Sequence, residues 1–214
     1  MNILSWNVLF REYEETYNPN SSILKEWKNE SEREDKIIKI LKENSDDNSI
    51  ILLQEVSQNL LEKIMNSFQE KQIFSYNVRS NEFLVTISMK EIFEKELIKQ
   101  HDTANGYLSI VKNNLRIINT HLIPQRYCKI NIMDYLLKLP NESSLIICGD
   151  FNETYKNVCS FLEKRYIIPY FGSTYKNKKQ IDYIIFDNKN IKHKIVKVLT
   201  NNISDHNLIK IVLT

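Results

Sequence analysis

The chain has 214 residues, 42% of them hydrophobic, and no Pro/Gly/Ser-rich linker divides it, so a single domain over residues 1–214 with one substantial core is expected. Lysine and arginine number 29 against 27 aspartate and glutamate, and a net charge of +2 excludes a general electrostatic case for nucleic acid: any polyanion must be met locally. Cys128, Cys148 and Cys159 have neither zinc-ligand spacing nor the even count of a disulfide framework, no apolar stretch is long enough to cross a bilayer, and the opening MNILSWNVLFREYEE lacks the regions of a signal peptide; a reduced protein of the cytoplasm or nucleus is expected.

In chain order, Asn2 to Val8 is apolar enough for a buried first strand that delivers Asn7 to its C-terminal end. Asn29 to Glu43 reads as a helix, with Ile37, Ile38, Ile40 and Leu41 on one side and Glu34, Lys36, Lys39 and Lys42 on the other. Ser31 and Glu34 suggest a capping box, and the mixed-charge run NESERED reads as solvated surface. Ser49 to Leu53 is a short buried strand closed by Gln54-Glu55, and Leu60, Leu61, Ile64, Met65 and Phe68 follow at helical spacing. Ile73 to Val111 divides into several β-segments, among them Phe83–Met89 and Tyr107–Val111. Leu115 to Thr120 is a strand ending at His121, and Ile130 to Leu139 is helical.

Leu145 to Cys148 is continuous apolar sequence, the mark of a strand buried on both faces, and it ends in Gly149-Asp150-Phe151-Asn152. Val158, Phe161 and Leu162 mark a short helix. Gln180–Phe186, Ile191–Leu199 and Asn207–Leu213 make three final strands, the first containing Asp182 and the last preceded by Asp205-His206. What recurs is strand, polar terminus, helix.

The strand-end polar groups are therefore Asn7, Glu55, His121, Asp150, Asn152, Asp182, Asp205 and His206. Gathered in one place, they make a hard-oxygen site suited to Mg²⁺, or Mn²⁺, and not a softer zinc site. Taken singly, each has a plainer reading: GDFN as a turn, Glu55 as a residue at a helix N-terminus, Asp205-His206 as a surface turn and His121 as a strand cap.

The segments SWN, LQEV, NTHL, GDFN, IDYIIF and SDH, in this order and over nearly the whole chain, resemble the motifs of the endonuclease/exonuclease/phosphatase superfamily of metal-dependent phosphodiesterases. The resemblance implies an α/β fold of DNase I-like type, a four-layer α/β/β/α sandwich in which two facing mixed β-sheets are flanked by helices. It implies Glu55 as the principal Mg²⁺ ligand, Asn7 touching the ion through water or positioning the carboxylate, and Asp205 completing the metal site. Asp150 would orient and deprotonate a water, and Asn152 would place that water or a phosphate oxygen. His206 would face the scissile phosphate, oriented by Asp182, and His121 would contact phosphate. His101 and His193 read as surface residues, Cys148 as core, and Trp6 and Trp27 as packing.

Within the family, the histidine of NTHL argues against the abasic-site endonuclease branch. The opening SWNVLFREYEETYNP, with Leu24, Trp27 and Arg33, is similar to that of deadenylases and related 2′,5′-phosphodiesterases. RNA 3′-end trimming by a monomer with no membrane attachment is the function this favours, with DNA as the other nucleic-acid substrate. DNA-end or tyrosyl-DNA phosphodiesterase action and an inositol or lipid phosphatase of the same fold are the alternatives. A catalytically silent binding module is weakened by the intact catalytic positions. The basic segment Tyr175 to Lys179, directly before Asp182, is expected near the site mouth, where lysines follow a phosphate backbone.

Overall fold

Two six-stranded sheets face one another, each mixed in strand direction. The structure, a computed structural model, describes residues 1–79, 81–90, 92–96, 107–123, 144–162, 166–176, 178–187, 192–199 and 202–214. In the first sheet β1 (Asn2–Asn7) lies between β2 (Ser49–Ser57), parallel to it, and β12 (Leu208–Leu213), antiparallel. β4 (Glu82–Ser88) and β3 (Gln72–Arg79) continue beyond β2, and β11 (His193–Leu199) lies outside β12. In the second sheet β8 (Ser144–Asp150) is central, with β7 (Leu115–His121) parallel and β10 (Asp182–Asp187) antiparallel on its two sides. β6 (Tyr107–Lys112) and β5 (Glu94–Glu96) extend one edge, and β9 (Tyr166–Ile167) the other.

The alternation of side chains along each strand sorts the apolar residues into three layers. Ile3, Ile50, Leu52 and Ile209 of the first sheet meet Ile117, Ile146, Cys148 and Ile184 of the second in the layer between the sheets. The alternate residues Leu4, Trp6, Ile51 and Leu53 face outward, where Ile37, Ile38 and Leu41 of α3 (Glu30–Asn44) and Leu60, Leu61 and Ile64 of α4 (Gln58–Ser67) cover them. On the far side, Ile118, Ile147, Tyr183 and Ile185 are covered by Val158 and Leu162 of α5 (Tyr155–Leu162). Each fully buried aliphatic side chain in these layers contributes on the order of 2 kcal/mol. The central strands are apolar on both faces because both faces are covered.

A polar connection crosses the inner layer. Gln54 Nε2 donates to Asn119 Oδ1 at 2.7 Å, and Asn119 Nδ2 donates back across the sheets to the carbonyls of Leu53 (3.0 Å) and Val85 (2.9 Å).

The strands expected from the sequence form, and the largest difference is at β2, which runs past Leu53 through Ser57. Two expectations in the N-terminal third are corrected. The cap of α3 is Asn29, whose side chain accepts from the Ser31 amide, and not a Ser31–Glu34 box. NESERED is not wholly solvated: Arg33 and Glu34 are 3% and 2% exposed. Glu34 is buried because Ser57 Oγ donates to it and Lys63 lies at 3.5 Å; Arg33 is buried because backbone carbonyls and Glu30 surround it. Two short helices, α1 (Arg11–Tyr17) and α2 (Ser22–Glu26), fill the region after Asn7. They are too short to show a 3.6-residue period. The helix expected over Ile130–Leu139 and His101 lie outside the described residues. Among the described residues no helix is long and apolar enough to cross a membrane.

Candidate active site

The alternation that builds the inner layer also places the polar strand ends. Asp150 follows Ile146 and Cys148 on the inner face of β8, Asp182 precedes Ile184 and Phe186 on that of β10, and His121 follows Ile117 and Asn119 on that of β7. These three stand side by side, because His121 pairs with Asp150 across the parallel ladder and Asp150 with Asp182 across the antiparallel one. Asn7 ends the inner face of β1 in the opposite sheet. The inner layer thus changes from apolar to polar at one rim.

Glu55 reaches this rim by a different route. Simple alternation would send it outward with Ile51 and Leu53. Instead the β2–β4 register shifts between Leu53 and Val56, and Glu55 has a left-handed backbone, φ 58°. The bulge gives the outward position to Val56 and frees the Glu55 side chain for the cleft.

At the rim the two sheets are joined by hydrogen bonds. Asn7 Nδ2 donates to Glu55 Oε1 at 2.8 Å and to Asp150 Oδ2 at 3.2 Å. Its Oδ1 accepts from the Leu9 amide, so the Asn7 side chain grips the two carboxylates through its nitrogen. The Phe10 amide donates to Glu55 Oε2 at 2.8 Å, and the Asn152 amide to Asp150 Oδ1 at 2.7 Å. Burial pushes the Asp150 pKa up; His206 and His121 hold it down, Asp182 adds to the rise, and it stands at about 6.

Two imidazoles face Asp150. His206 Nδ1 lies 3.0 Å from both oxygens of Asp182, leaving Nε2 3.7 Å from Asp150 Oδ2. His121 Nδ1 lies 3.3 Å from Glu82 Oε1, leaving Nε2 3.8 Å from Asp150 Oδ2 and 3.6 Å from Glu55 Oε1. Burial alone would pull both imidazoles below their ordinary pKa. Asp182 and Asp150 instead push His206 well above it, and Glu82, Glu55 and Asp150 carry His121 to about 9. Both shifts favour the charged imidazolium.

Asn152 stands beside them with φ 50°, donating from Nδ2 to the Leu122 carbonyl at 2.9 Å, 3.4 Å from His121 Nε2. Asp205 is at the same rim, but apart from the tightest groupings. Its Oδ2 lies 3.4 Å from the Lys176 ammonium, and its buried Oδ1 has no hydrogen-bond partner and is 3.8 Å from His206 Nε2. All eight residues singled out in the sequence thus meet at one rim. His193 is exposed and Cys148 buried in the inner layer.

The sequence reading missed Glu82, which is wholly buried behind His121 and accepts a 2.6 Å hydrogen bond from Tyr13 Oη. A charged residue directly before the strand segment Phe83–Ser88 is at most a weak signal. It also missed the fasteners of the loops. Ser204 Oγ donates to the Asn7 carbonyl, and Arg33 donates to the carbonyls of Val8, Leu9 and Ile203, tying the segment after Asn7 to the segment before Asp205-His206.

The cleft measures about 730 Å³ and is lined by Tyr13, Glu55, Asp150, Asn152, Asp205 and His206 among others. Leu9, Glu55, Asn152 and Lys176, all non-glycine residues with positive φ, line it too. Such strained backbone concentrates where side chains must be held for a task.

Glu55, His121 and Asp150 bring ligand-type atoms within 4.8 Å of one another, as do Asp150, Asp182 and His206. Buried carboxylates held together, with the unpartnered Asp205 Oδ1 nearby, are a donor set that fits a hard divalent cation.

Two facing mixed sheets flanked by helices, with this carboxylate and imidazole cleft at one rim, define a DNase I-like phosphoesterase. The chain belongs to the Endonuclease/Exonuclease/phosphatase family, whose model matches residues 4–206. Members of the family are hydrolases of phosphoester bonds, typically dependent on a divalent metal, and this protein is a hydrolase of that class. No curated relative matches by sequence.

Among solved structures, an endonuclease/exonuclease/phosphatase family protein from Leptotrichia buccalis C-1013-b is similar at 20% identity, with 100% of this chain and 99% of that one covered and a TM-score of 0.71. Humanized D. rerio TDP2 is similar at 14% identity, with 100% and 98% covered and a TM-score of 0.73. ANGEL2, described as a 2′,3′-cyclic phosphatase, is similar at 13% identity, with 98% and 94% covered and a TM-score of 0.71.

Proposed function

We propose that the protein is a Mg²⁺-dependent phosphodiesterase of nucleic acid that shortens RNA from its 3′ end. The observation that carries the phosphodiesterase reading is the position of Asp150 between two imidazoles, each backed by its own buried carboxylate, Asp182 behind His206 and Glu82 behind His121. A base flanked by two imidazoles whose charged form is favoured suits attack on an anionic phosphorus centre. The preference for RNA rests on the deadenylase-like opening SWNVLFREYEETYNP.

In this mechanism Asp150 takes the proton of a water that attacks phosphorus in line with the leaving oxygen. The Asn152 amide holds Asp150 Oδ1, and the Asn152 side chain places the water or a phosphate oxygen beside it. His206 and His121 donate charge-assisted hydrogen bonds from Nε2 to nonbridging oxygens, and these strengthen as negative charge develops in the transition state. Asp182 and Glu82 keep the two rings oriented and protonated. Glu55, with Asn7 as its positioning partner and Asp205 at the far side, would hold the Mg²⁺ ion, whose contribution when bound is to neutralise charge on the phosphate.

The test is a panel of labelled oligo(A) RNA, the equivalent DNA, 5′-tyrosyl DNA and an inositol phosphate, each with Mg²⁺. Faster 3′ shortening of the RNA is expected. Equal or faster cleavage of DNA would replace the RNA assignment with a DNA-end activity. Phosphate release from the inositol compound with no nuclease activity would replace both.

A further inference from the structure

Beside the cleft lies a second cavity of about 320 Å³, lined by Ser21, Ser22, Asn202 and Asn207 and sharing Glu14, Asn18, Lys176 and Asp205 with the cleft itself. Its wall is mostly neutral amides and hydroxyls, and Lys176 stands where the two spaces join. Resting on the phosphodiesterase reading above, we infer that this side cavity receives the nucleotide next to the scissile bond and that Lys176 grips the phosphate of that neighbour, making the preferred substrate an oligonucleotide and not an isolated phosphoester.

Several independent features fix Lys176 for this task. Its backbone is left-handed, φ 45°, and is pinned by the amide donating to the Asp205 carbonyl at 2.8 Å. The neighbouring Tyr175 pairs in an isolated bridge with Lys179 and with His206, so the turn cannot shift without moving the catalytic histidine. The Tyr175 ring packs 4.9 Å from the His206 ring, and the Lys176 ammonium lies 5.0 Å from the Tyr175 ring centre. A lysine in so costly a conformation, one aromatic ring away from the imidazole that faces the scissile phosphate, is held at short range from the reaction centre.

The Lys176 side chain remains 35% exposed, and its 3.4 Å contact with Asp205 Oδ2 leaves other ammonium hydrogens for an incoming oxygen. The side cavity beyond it adds Ser21, Ser22, Asn202, Ser204 and Asn207, all neutral and polar, with the carboxylates of Glu14 and Asp205 confined to the junction. Neutral donors and acceptors suit sugar hydroxyls and base edges, whereas a bare inorganic anion would find one lysine. Mono-phosphoesters fill the cleft alone; an oligonucleotide fills both spaces and meets the cation between them.

The experiment compares two short RNA oligonucleotides that differ only in the linkage on the 5′ side of the 3′-terminal, scissile one, an ordinary phosphodiester or an uncharged methylphosphonate. Wild-type protein is expected to lose about tenfold in kcat/KM on the uncharged substrate, the effect of one charge-assisted contact. In Lys176→Met, checked for folding by its thermal melt, the two substrates should become equivalent, and Lys176→Arg should restore the difference. The slope of log kcat/KM against log salt should fall by about 0.7 in Lys176→Met, as for one lost single-strand phosphate contact. Equal wild-type rates on charged and uncharged substrates would overturn the inference while leaving the phosphodiesterase reading intact. So would a Lys176→Met defect of the same size on both substrates, which would reduce Lys176 to a partner of Asp205. Absence of turnover on every oligonucleotide would overturn both.

Discussion

Glu82 stands wholly inside the protein with its carboxylate 3.3 Å from His121 Nδ1, an arrangement that parallels Asp182 behind His206. Burial works against a charge on either partner. The pair nevertheless leaves the Glu82 pKa below its ordinary value and carries that of His121 up to about 9. The His121 imidazolium is therefore present through neutral pH and lost as pH rises through about 9. Glu82→Gln keeps the shape and removes the charge, so the alkaline limb of kcat/KM is expected to move to lower pH, with activity near pH 8 falling by about tenfold. The linked stability has the same sign: a raised folded pKa stabilises fully below the unfolded histidine pKa of about 6.5, and that share is lost as pH rises through about 9. A pH-rate profile beside an NMR titration of His121 checks both, and an unmoved limb in folded Glu82→Gln would remove Glu82 from the mechanism.

Asp150 sets the opposite limb. Its pKa of about 6 means that the base gains its charge as pH rises through that value, so kcat/KM should climb between pH 5 and 7 in the wild type. Asp150→Asn should lower the chemical step by about 10²-fold or more and abolish this limb, while substrate binding holds or tightens as one negative charge near phosphate disappears. Single-turnover rates and a binding titration separate the two effects. Near-normal turnover in a folded Asp150→Asn protein would return GDFN to the status of a turn.

Metal dependence separates Glu55 from Asp150. EDTA is expected to abolish turnover, and Mg²⁺ to restore it. Glu55→Gln should need more Mg²⁺ for half-maximal activity and be partly rescued at high concentration. Asp150→Asn should gain little from added metal, because its missing function is proton acceptance. Full activity after exhaustive chelation would refute the whole assignment.

Gly149 is required by space as well as by conformation. It has φ 140°, and a methyl group at its Cα would stand 1.8 Å from the carbonyl oxygen of Thr120, its partner across the β7–β8 ladder. Gly149→Ala must push apart the two central strands that carry His121 and Asp150. A loss of about 4 kcal/mol or more in stability is expected, the range of severe core disruption. Denaturant unfolding of the purified variant measures it, and a shift below about 1 kcal/mol would show that the ladder can open at no great cost.

Asp150, His121 and Asn7 were legible in the sequence because a polar residue that ends an apolar strand breaks a pattern visible without coordinates, and Asp182 because it is a charge within an apolar strand run. Glu55 was legible only as a motif residue: counting by twos from Ile51 and Leu53 points it outward, and nothing in the string announces the bulge that turns it back. Arg33 and Glu34 misled for another reason. A charged residue is buried when partners exist for it, and those of Arg33 are carbonyls at positions 8, 9 and 203, which only the fold brings together. Glu82 combines both difficulties, since its partners Tyr13 and His121 are remote in sequence and its place at a strand start looks ordinary.

The amide pair Gln54 and Asn119 has a consequence for the mutual placement of the two halves of the catalytic cleft. Aliphatic layers tolerate sliding, because isoleucine on isoleucine is nearly as good one notch along, and hydrophobic burial has no direction. Hydrogen bonds from Asn119 to the carbonyls of Leu53 and Val85 exist at one alignment only, so they act as a dowel between two largely aliphatic plates. The dowel lies one residue before Glu55 in one sheet and two before His121 in the other. Replacing both amides by apolar residues of similar volume could leave the protein as stable as before. What would suffer is alignment, with carboxylates and imidazoles from opposite plates meeting in a spread of offsets, so that melting temperature and turnover part company.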